Sequence, residues 1–562
     1  MVSLPQGQPR YRPDIPRARR EQADGLTFRD DALIYAASFA LLMVAAVLFF
    51  FVLDVYNQDA LSRTVDAHNV LYSRDPHLGA IGLVWPPIPT VLRIAILPLT
   101  SAVGLTEFTG PITSVIASAG CVVLLNHLLH GFGVPRNTRA AWIVLTFANP
   151  VLLYHFVNGT AESVFTFFFL WAVIAALHIR EAPERAVLGM GLAIGLALWV
   201  RYEALAIMGM AVVGFVLMAW TYRREGAWRE RSRFESLLVT LIVPSAALGA
   251  LWLSFNYTAE GDPLFFYHGP YSINAAPDVA KNAADHALRF AYRSPVGAVQ
   301  YVGERTFQVS FLFPFAAAAA AVIGLRTRRL EGTLLAFLAV STLLMQTYQT
   351  FTGTIAPWLR YWVYLPVFTV ILLGWIGHTY PFWWRTSRLA QIARAGIVPG
   401  LLVLANVISL QTMTHTEVGA DEQLIVAELR GEEEYAAELR SNYPDREVLE
   451  RVQGALDQTE GTILVDLQKA HPLITHFDAT DRFVINTDRD FGKVLDEPVG
   501  SVDYILLPNP RGKGVELNRD AIYTRYPALY DGAAWLELVE QFDGEYLDWR
   551  LYRVLDGDVT TP

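Results

Sequence analysis

Apolar stretches near the length of a bilayer crossing, about 20 residues each, recur between residue 32 and about residue 411 and are absent beyond it. They predict spans at roughly 32–53, 109–131, 138–157, 161–179, 187–203, 204–220, 236–255, 308–325, 332–348, 360–378 and 393–411, about eleven in all. Two connections are too long to be turns, residues 54–108 and 256–307, and function is expected to concentrate in them. The first opens on Asp59-Ala60-Leu61-Ser62-Arg63-Thr64-Val65-Asp66-Ala67, a helix at the membrane surface at whose start Asp59 suits either a functional role or an N-cap. Val84-Trp85-Pro86-Pro87-Ile88-Pro89 then forms an extended corner that no regular helix tolerates, before an apolar re-entry from Val91 to Leu97.

After Met413 the pattern changes. Acidic helical stretches at 421–442 and 446–458 precede three β-branched runs, Thr462–Val465, Phe483–Ile485 and Tyr504–Leu507, separated by helical pieces at 472–477 and 491–495. Strands alternating with helices predict a small α/β sheet domain. It has no Gly-rich phosphate loop, so a nucleotide-sugar site there is not expected. The expected division is a tail over 1–30, a transmembrane domain over 31–411 and a separate α/β domain over 412–562.

Composition agrees with a lipid environment: of 562 residues, 53% are hydrophobic and 17% charged. The distribution of charge sets the orientation. Arg136 and Arg139, Arg180 and Arg185, Arg223 to Arg233, Arg326 to Arg329, and Arg385 to Arg394 fall in alternate connections, which places these and the N-terminus in the cytoplasm. An odd number of spans then puts the C-terminal domain outside the cell membrane. The single cysteine, Cys121, excludes an intramolecular disulfide, and no basic tract points to nucleic acid.

Ionisable groups at membrane depth are costly and are therefore candidates for function or for structural ion pairs. Asp54 and Asp59 follow the first span, Glu162 opens the fourth, Arg201-Tyr202-Glu203 closes the fifth, Asp262 begins the second long loop and Arg360-Tyr361 opens the tenth. All project to one side. Carboxylates with guanidinium groups suit transfer from a phosphate leaving group, the carboxylate taking a hydroxyl proton and Arg gripping phosphate in a bidentate fashion. The bland alternatives are a helix cap at Asp59, a salt bridge at Arg201-Tyr202-Glu203 and snorkelling at Arg360. His77 and His268 leave a divalent metal open without the paired spacing that would specify one.

In their order along the chain these features resemble the type C glycosyltransferases, polytopic enzymes that use polyprenyl-phosphate sugars, and especially the branch of protein O-mannosyltransferases and lipid A aminoarabinose transferases. The resemblance lies in Asp59-Ala60-Leu61-Ser62-Arg63, Val84-Trp85-Pro86-Pro87, Asn149-Pro150, Thr160-Ala161-Glu162, Arg201-Tyr202-Glu203, Gly261-Asp262-Pro263-Leu264, Gly269-Pro270-Tyr271-Ser272 and Trp358-Leu359-Arg360-Tyr361. It covers about residues 30–380 and leaves the C-terminal domain out. It implies a GT-C fold, with Asp59 as catalytic base, Arg201, Arg360 and Tyr361 at the donor phosphate, and Asp54, His77, Trp85, Glu162, Tyr202, Glu203, Asp262 and Tyr271 shaping the pocket. The implied donor is a polyprenyl-phosphate-linked sugar, and the acceptor a glycan, lipid or protein hydroxyl. Two departures stand out: the Asp-Glu pair of the O-mannosyltransferases becomes Asp59-Ala60, and Lys281 is the only lysine of the membrane part. A transporter or flippase, and a non-catalytic membrane scaffold, are the competing readings. The absence of an internal repeat and the gathering of ionisable groups at one face weigh against transport.

Overall fold

A computed structural model describes residues 26–222, 231–272, 286–380, 392–415, 417–440, 446–476, 480–511, 520–544 and 547–556. The Arg-bearing connections at 223–230 and 381–391, and Lys281, lie outside the described residues. Among the described residues seven helices are long and apolar enough to cross a membrane: Phe28–Val52, Thr106–Gly131, Ala204–Thr221, Ser232–Glu260, Glu331–Thr352, Leu359–Thr379 and Ala395–Thr412. Two further crossings arise if each sharply bent pair counts as one span. Arg136–Phe147 and Pro150–Val157 (α2, below) meet at 75°, and Pro295–Ser310 and Phe313–Thr327 at 101°. The other two expected spans, 161–179 and 187–203, are helices of 16 residues, Glu162–Leu177 and Pro183–Leu198. At 1.5 Å per residue each reaches about 24 Å, short of a hydrocarbon core of about 30 Å. By length and composition the described residues thus account for seven to nine crossings, against the eleven expected.

The long first connection is a helix, Gln58–Tyr72 (α1), followed by a short 3-10 turn at Leu78–Ile81 and a second helix at Ile88–Ser101. The cap of α1 differs from expectation. Asn57, with extended backbone, accepts from the Ala60 amide through its side chain, which places Asp59 inside the first turn instead of at the cap. Its carboxylate still sits at the positive end of the helix. The Pro-Pro corner behaves as expected up to Pro87, and Ile88–Ser101 accepts Pro89 because the first turn of a helix has no N–H bond to lose.

Helix α2 (Pro150–Val157) follows an Asn149 cap and ends at Asn158-Gly159, and α3 (Glu162–Leu177) starts three residues later. Gly159 has φ +92 and packs against Gly110 and Ala60. This glycine turn lets α1 lie directly over the α2–α3 junction.

Beyond Thr412 the chain forms Ala420–Arg430 (α4), Glu433–Arg440 and Arg446–Asp457, the first two split at Gly431 with φ +68. Leu467–His476 (α5) then joins β1 (Ile463–Val465) to β2 (Phe483–Ile485). The remaining strands are β3 (Tyr504–Pro508), β4 (Leu536–Phe542) and β5 (Trp549–Val554). The sheet runs β2-β1-β3-β5-β4. β1 pairs parallel with β2 and β3, whereas β5 runs antiparallel to β3 and β4. Alternation divides the side chains between two cores: Ile463, Val465, Phe483, Ile485 and Leu506 face one, Leu464, Val484, Ile505 and Leu507 the other. The three apolar runs are buried on both faces, as their continuous hydrophobicity requires. Val65 of α1 belongs to the first of these cores, so the surface helix of the membrane half is packed into the C-terminal part.

Candidate active site

The site is assembled from the N-terminal turn of α1, the junction of α2 and α3, the turn closing Pro183–Leu198, and a 3-10 turn at Leu359–Trp362. Arg360 is its hinge. Its Nη1 lies 2.6 Å from Asp59 Oδ2, and its Nε lies 4.0 Å from Glu162 Oε1. The guanidinium stacks over Trp358 at 4.1 Å and Tyr361 at 5.5 Å, a cation–π pairing that fixes its plane. Arg201 completes the network. It donates to Glu162 and, through Nε at 3.1 Å, to Glu203 Oε1, and it sits 5.6 Å from the Tyr361 ring. Asp59, Glu162 and Glu203 thus face Arg201 and Arg360, three carboxylates for two guanidinium groups. Glu162 is 3% exposed, its Oε2 and the Arg360 Nε lacking a hydrogen-bond partner among the described residues. Buried polar atoms without partners mark a place a ligand can satisfy.

A cavity of about 190 Å³ opens beside Asp59 and Arg360. Asn57, Gln58, His155 and Trp358 line it from the membrane half, and Gly419, Ala420, Asp421 and Glu422 from the start of α4. The second group was missed from sequence, because an acidic helix after the last span reads as part of a detached domain. Asp421 Oδ2 accepts from Asn57 Nδ2 at 2.7 Å and from the Tyr154 hydroxyl at 2.9 Å. Glu422 meets His155 Nε2 at 3.1 Å, both side chains 2% exposed. His471 of α5 donates from Nε2 to Gln58 Oε1 at 2.9 Å, and burial pushes it down to about 4, which keeps it neutral.

Beneath the acidic turn of α1 lies a cation that sequence reasoning did not single out. Arg63 is buried, donates to the Pro86 carbonyl at 3.4 Å and stacks over Trp85 at 4.6 Å. Its field reaches Asp59, Glu162 and Arg201. One helical turn on, burial pushes Asp66 up to about 7, partly opposed by Arg63 and Arg93. Only the i, i+4 spacing from Asp59 to Arg63 advertised this pair in the sequence.

The residues expected from sequence divide into two sets. Asp59, Glu162, Arg201, Glu203, Arg360 and Tyr361 converge, and Trp85 stacks against Arg63 beside them. Tyr202 stands at the edge, donating to the Val84 carbonyl at 3.2 Å and stacked on Phe266 at 4.8 Å. The rest lie apart. Asp54, at φ 52, pairs with Arg446 at 3.3 Å. Asp262 is exposed, accepting from the Leu264 amide and pairing with His268 at 3.1 Å. His77 meets the Asp75 carbonyl at 2.7 Å. The Tyr271 hydroxyl donates to Asp466 at 2.7 Å, tying the second long loop to the sheet. Among the described residues no group of three or more His, Cys, Asp or Glu is placed to hold a metal ion.

No protein-family model and no curated protein matches the sequence. Among solved structures, the chain is similar to ArnT from Cupriavidus metallidurans bound to undecaprenyl phosphate, with a TM-score of 0.51 at 12% identity, over 91% of this chain and 97% of that one. The Archaeoglobus fulgidus oligosaccharyltransferase in its apo form matches at a TM-score of 0.40 and 12% identity, over 87% and 71%. Its complex with Zn and sulfate gives 0.37 at 13%, over 84% and 67%. The ArnT superposition extends past residues 30–380 into the C-terminal part, which the sequence resemblance had left out. By its helices and by this likeness the chain is a multi-pass membrane protein with the GT-C-like fold expected from its motifs, carrying a small C-terminal sheet.

Proposed function

We propose that this protein is a membrane glycosyltransferase that moves a sugar from a polyprenyl-phosphate donor to an acceptor hydroxyl, with Asp59 as general base. The observation that carries the reading is the Asp59–Arg360 pair at the mouth of a polar cavity, backed by Glu162 and Arg201. The likeness to a protein bound to undecaprenyl phosphate supports the class of donor.

In this mechanism the donor phosphate engages Arg360 and Arg201, whose planar forks match phosphate oxygens. Arg360 is thereby drawn from Asp59, which frees the carboxylate to accept a proton. The acceptor oxygen attacks the anomeric carbon and its proton passes to Asp59. The carbon–oxygen bond to phosphate breaks with its electron pair, and polyprenyl phosphate leaves against the guanidinium groups. One displacement inverts the anomeric configuration. Glu162 and Glu203 hold the two Arg side chains in place and need not touch substrate. With Arg-bearing connections in the cytoplasm, this cavity and the C-terminal part face the non-cytoplasmic side of the cell membrane.

The test is transfer from radiolabelled polyprenyl-phosphate sugars by the purified protein in lipid nanodiscs, wild type against Asp59→Asn. Product from wild type and none from a folded Asp59→Asn protein supports the reading. A wild type that consumes no donor sinks it, and directs attention to transport across sealed vesicles.

A further inference from the structure

The proposed base is the least buried carboxylate of its cluster. The Asp59 side chain is 33% exposed, against 3% for Glu162 and 9% for Glu203. Its one ion pair among the described residues is with Arg360, the contact that an arriving phosphate takes away. Side-chain packing therefore does not fix the carboxylate when it must accept a proton, and the first turn of α1 has to do so. Resting on the glycosyltransferase reading, we propose that His471, on α5 of the C-terminal part, is a positioning residue that holds this turn through Gln58 and so aims Asp59 at the acceptor hydroxyl.

Gln58 stands next to Asp59 and lines the same cavity. Its Oε1 meets His471 Nε2 at 2.9 Å, while its own Nε2 has no hydrogen-bond partner among the described residues. The carboxamide is thus held at one point, by a residue 413 positions away in the chain. Helix α5 is in turn anchored along α1, where Val65 packs in one core with Ala470, Leu473 and Ile474. At the far end of α1, Thr480 Oγ1 donates to the Tyr72 carbonyl at 2.9 Å and Arg74 pairs with Asp488 at 3.0 Å. These contacts grip the middle and the C-terminal end of α1, remote from the cavity. His471 is the hydrogen bond that α5 adds at the end carrying Asp59.

The chemistry of the ring suits this role. Asp59 is near enough for its charge to act on His471, yet burial holds the imidazole down at about 4, so it is neutral near pH 7. A neutral partner orients the turn through a hydrogen bond without giving Asp59 a second cation to pair with, which would leave the carboxylate less free to take a proton. Precision matters here because a general base must lie within hydrogen-bond reach of the proton it removes, and a misplacement of about 1 Å costs about a hundredfold in rate.

The experiment measures transfer from polyprenyl phosphate carrying glucose, mannose or a pentose, together with binding of sugar-free polyprenyl phosphate, using full-length protein in nanodiscs. His471→Leu should lower kcat about ten- to a hundredfold and leave the donor KM and the binding of sugar-free lipid unchanged, the latter also reporting that the variant is folded. His471→Gln, whose side-chain amide reaches about as far as the imidazole Nε2, should restore most of the rate. Gln58→Leu should lower kcat to the same degree, and the double variant should lose no more than either single one, since both remove one contact. An unchanged kcat in His471→Leu, or a parallel loss of lipid binding, overturns the assignment and leaves the glycosyltransferase reading standing. Additive losses in the double variant, or a His471→Gln protein as slow as His471→Leu, do the same. If His471→Leu does not fold, Gln58→Leu decides, and a wild-type kcat in that variant overturns the assignment. A wild type that transfers sugar from none of the donors overturns both.

Discussion

Asp59 and Arg360, 301 positions apart in the chain, meet at 2.6 Å where the first turn of α1 faces the 3-10 turn at Leu359–Trp362. Arg360 is also 4.0 Å from Glu162 and is stacked on Trp358, so it has a second carboxylate within reach when a phosphate displaces the first. Asp59→Asn keeps the shape and removes the basicity. Transfer should fall by about 10²–10⁴-fold with donor binding retained. Arg360→Lys keeps a charge but loses the planar fork, and should raise the donor KM more than it lowers kcat. Steady-state kinetics on the two variants separates the roles, and reversed effects would exchange them.

Much of this site could be read before any coordinates, and the reason is energetic. Charged side chains beside a bilayer are so costly that Asp59, Glu162, Arg201, Glu203 and Arg360 stand out against an apolar background. Asp54 and Asp262 stood out equally, yet Asp54 belongs to a link with Arg446 and Asp262 to a solvent-exposed turn with His268. Loop position gives the side of the membrane and not the direction of a side chain. The contribution of Gly419 to Glu422 was illegible for a different reason. Nothing in the pattern of an amphipathic helix states that its first turn folds back over residues some 360 positions earlier. The edge strand β4 was missed because its side chains are almost all exposed and its register slips between Leu538 and Glu540, which blurs the period of two.

His155 and Glu422 form a buried pair at 3.1 Å that joins α2 to α4. Removing one partner leaves the other buried and unpaired, at a cost of about 3–5 kcal/mol. His155→Leu should therefore lower thermal stability strongly. The double variant His155→Leu with Glu422→Leu should recover part of the loss, since neither member of the pair is then left charged or polar without the other. A double variant less stable than the single one would show that the pair's own attraction dominates, contrary to this account.

The sheet carries a pH dependence of its own. Burial and the nearby Asp466 push Asp520 up to about 7, whereas an Asp in the unfolded chain titrates near 4, about its ordinary value. Between those values the folded state holds a proton that the unfolded chain has lost. The resulting stability is complete below about pH 4, declines as pH rises and is gone above the folded value. Melting of the wild type should fall from pH 5 to pH 8 more than that of Asp520→Asn, each ~1 kcal/mol appearing as about 2–4 °C in a domain of this size. Parallel pH profiles for the two proteins would remove Asp520 from the account.

Gly159 offers the sharpest test of how the proposed base is positioned. At φ +92 its backbone is in a region that side-chain-bearing residues avoid. A Cβ at this position would lie 2.9 Å from the Gly110 carbonyl carbon and 3.0 Å from the Ala60 Cβ. Ala60 follows Asp59, so relief of the second contact must push the first turn of α1 outward. Gly159→Ala should destabilise the protein by about 1–3 kcal/mol and lower kcat well beyond what the stability loss explains, because general-base catalysis requires hydrogen-bond reach to the proton it removes. Gly131→Ala serves as the control, since that glycine has no neighbour within 4 Å of the added Cβ and sits at the far end of its helix. If both substitutions leave kcat unchanged in folded protein, the close approach of α1 to the α2–α3 junction does not set the place of Asp59.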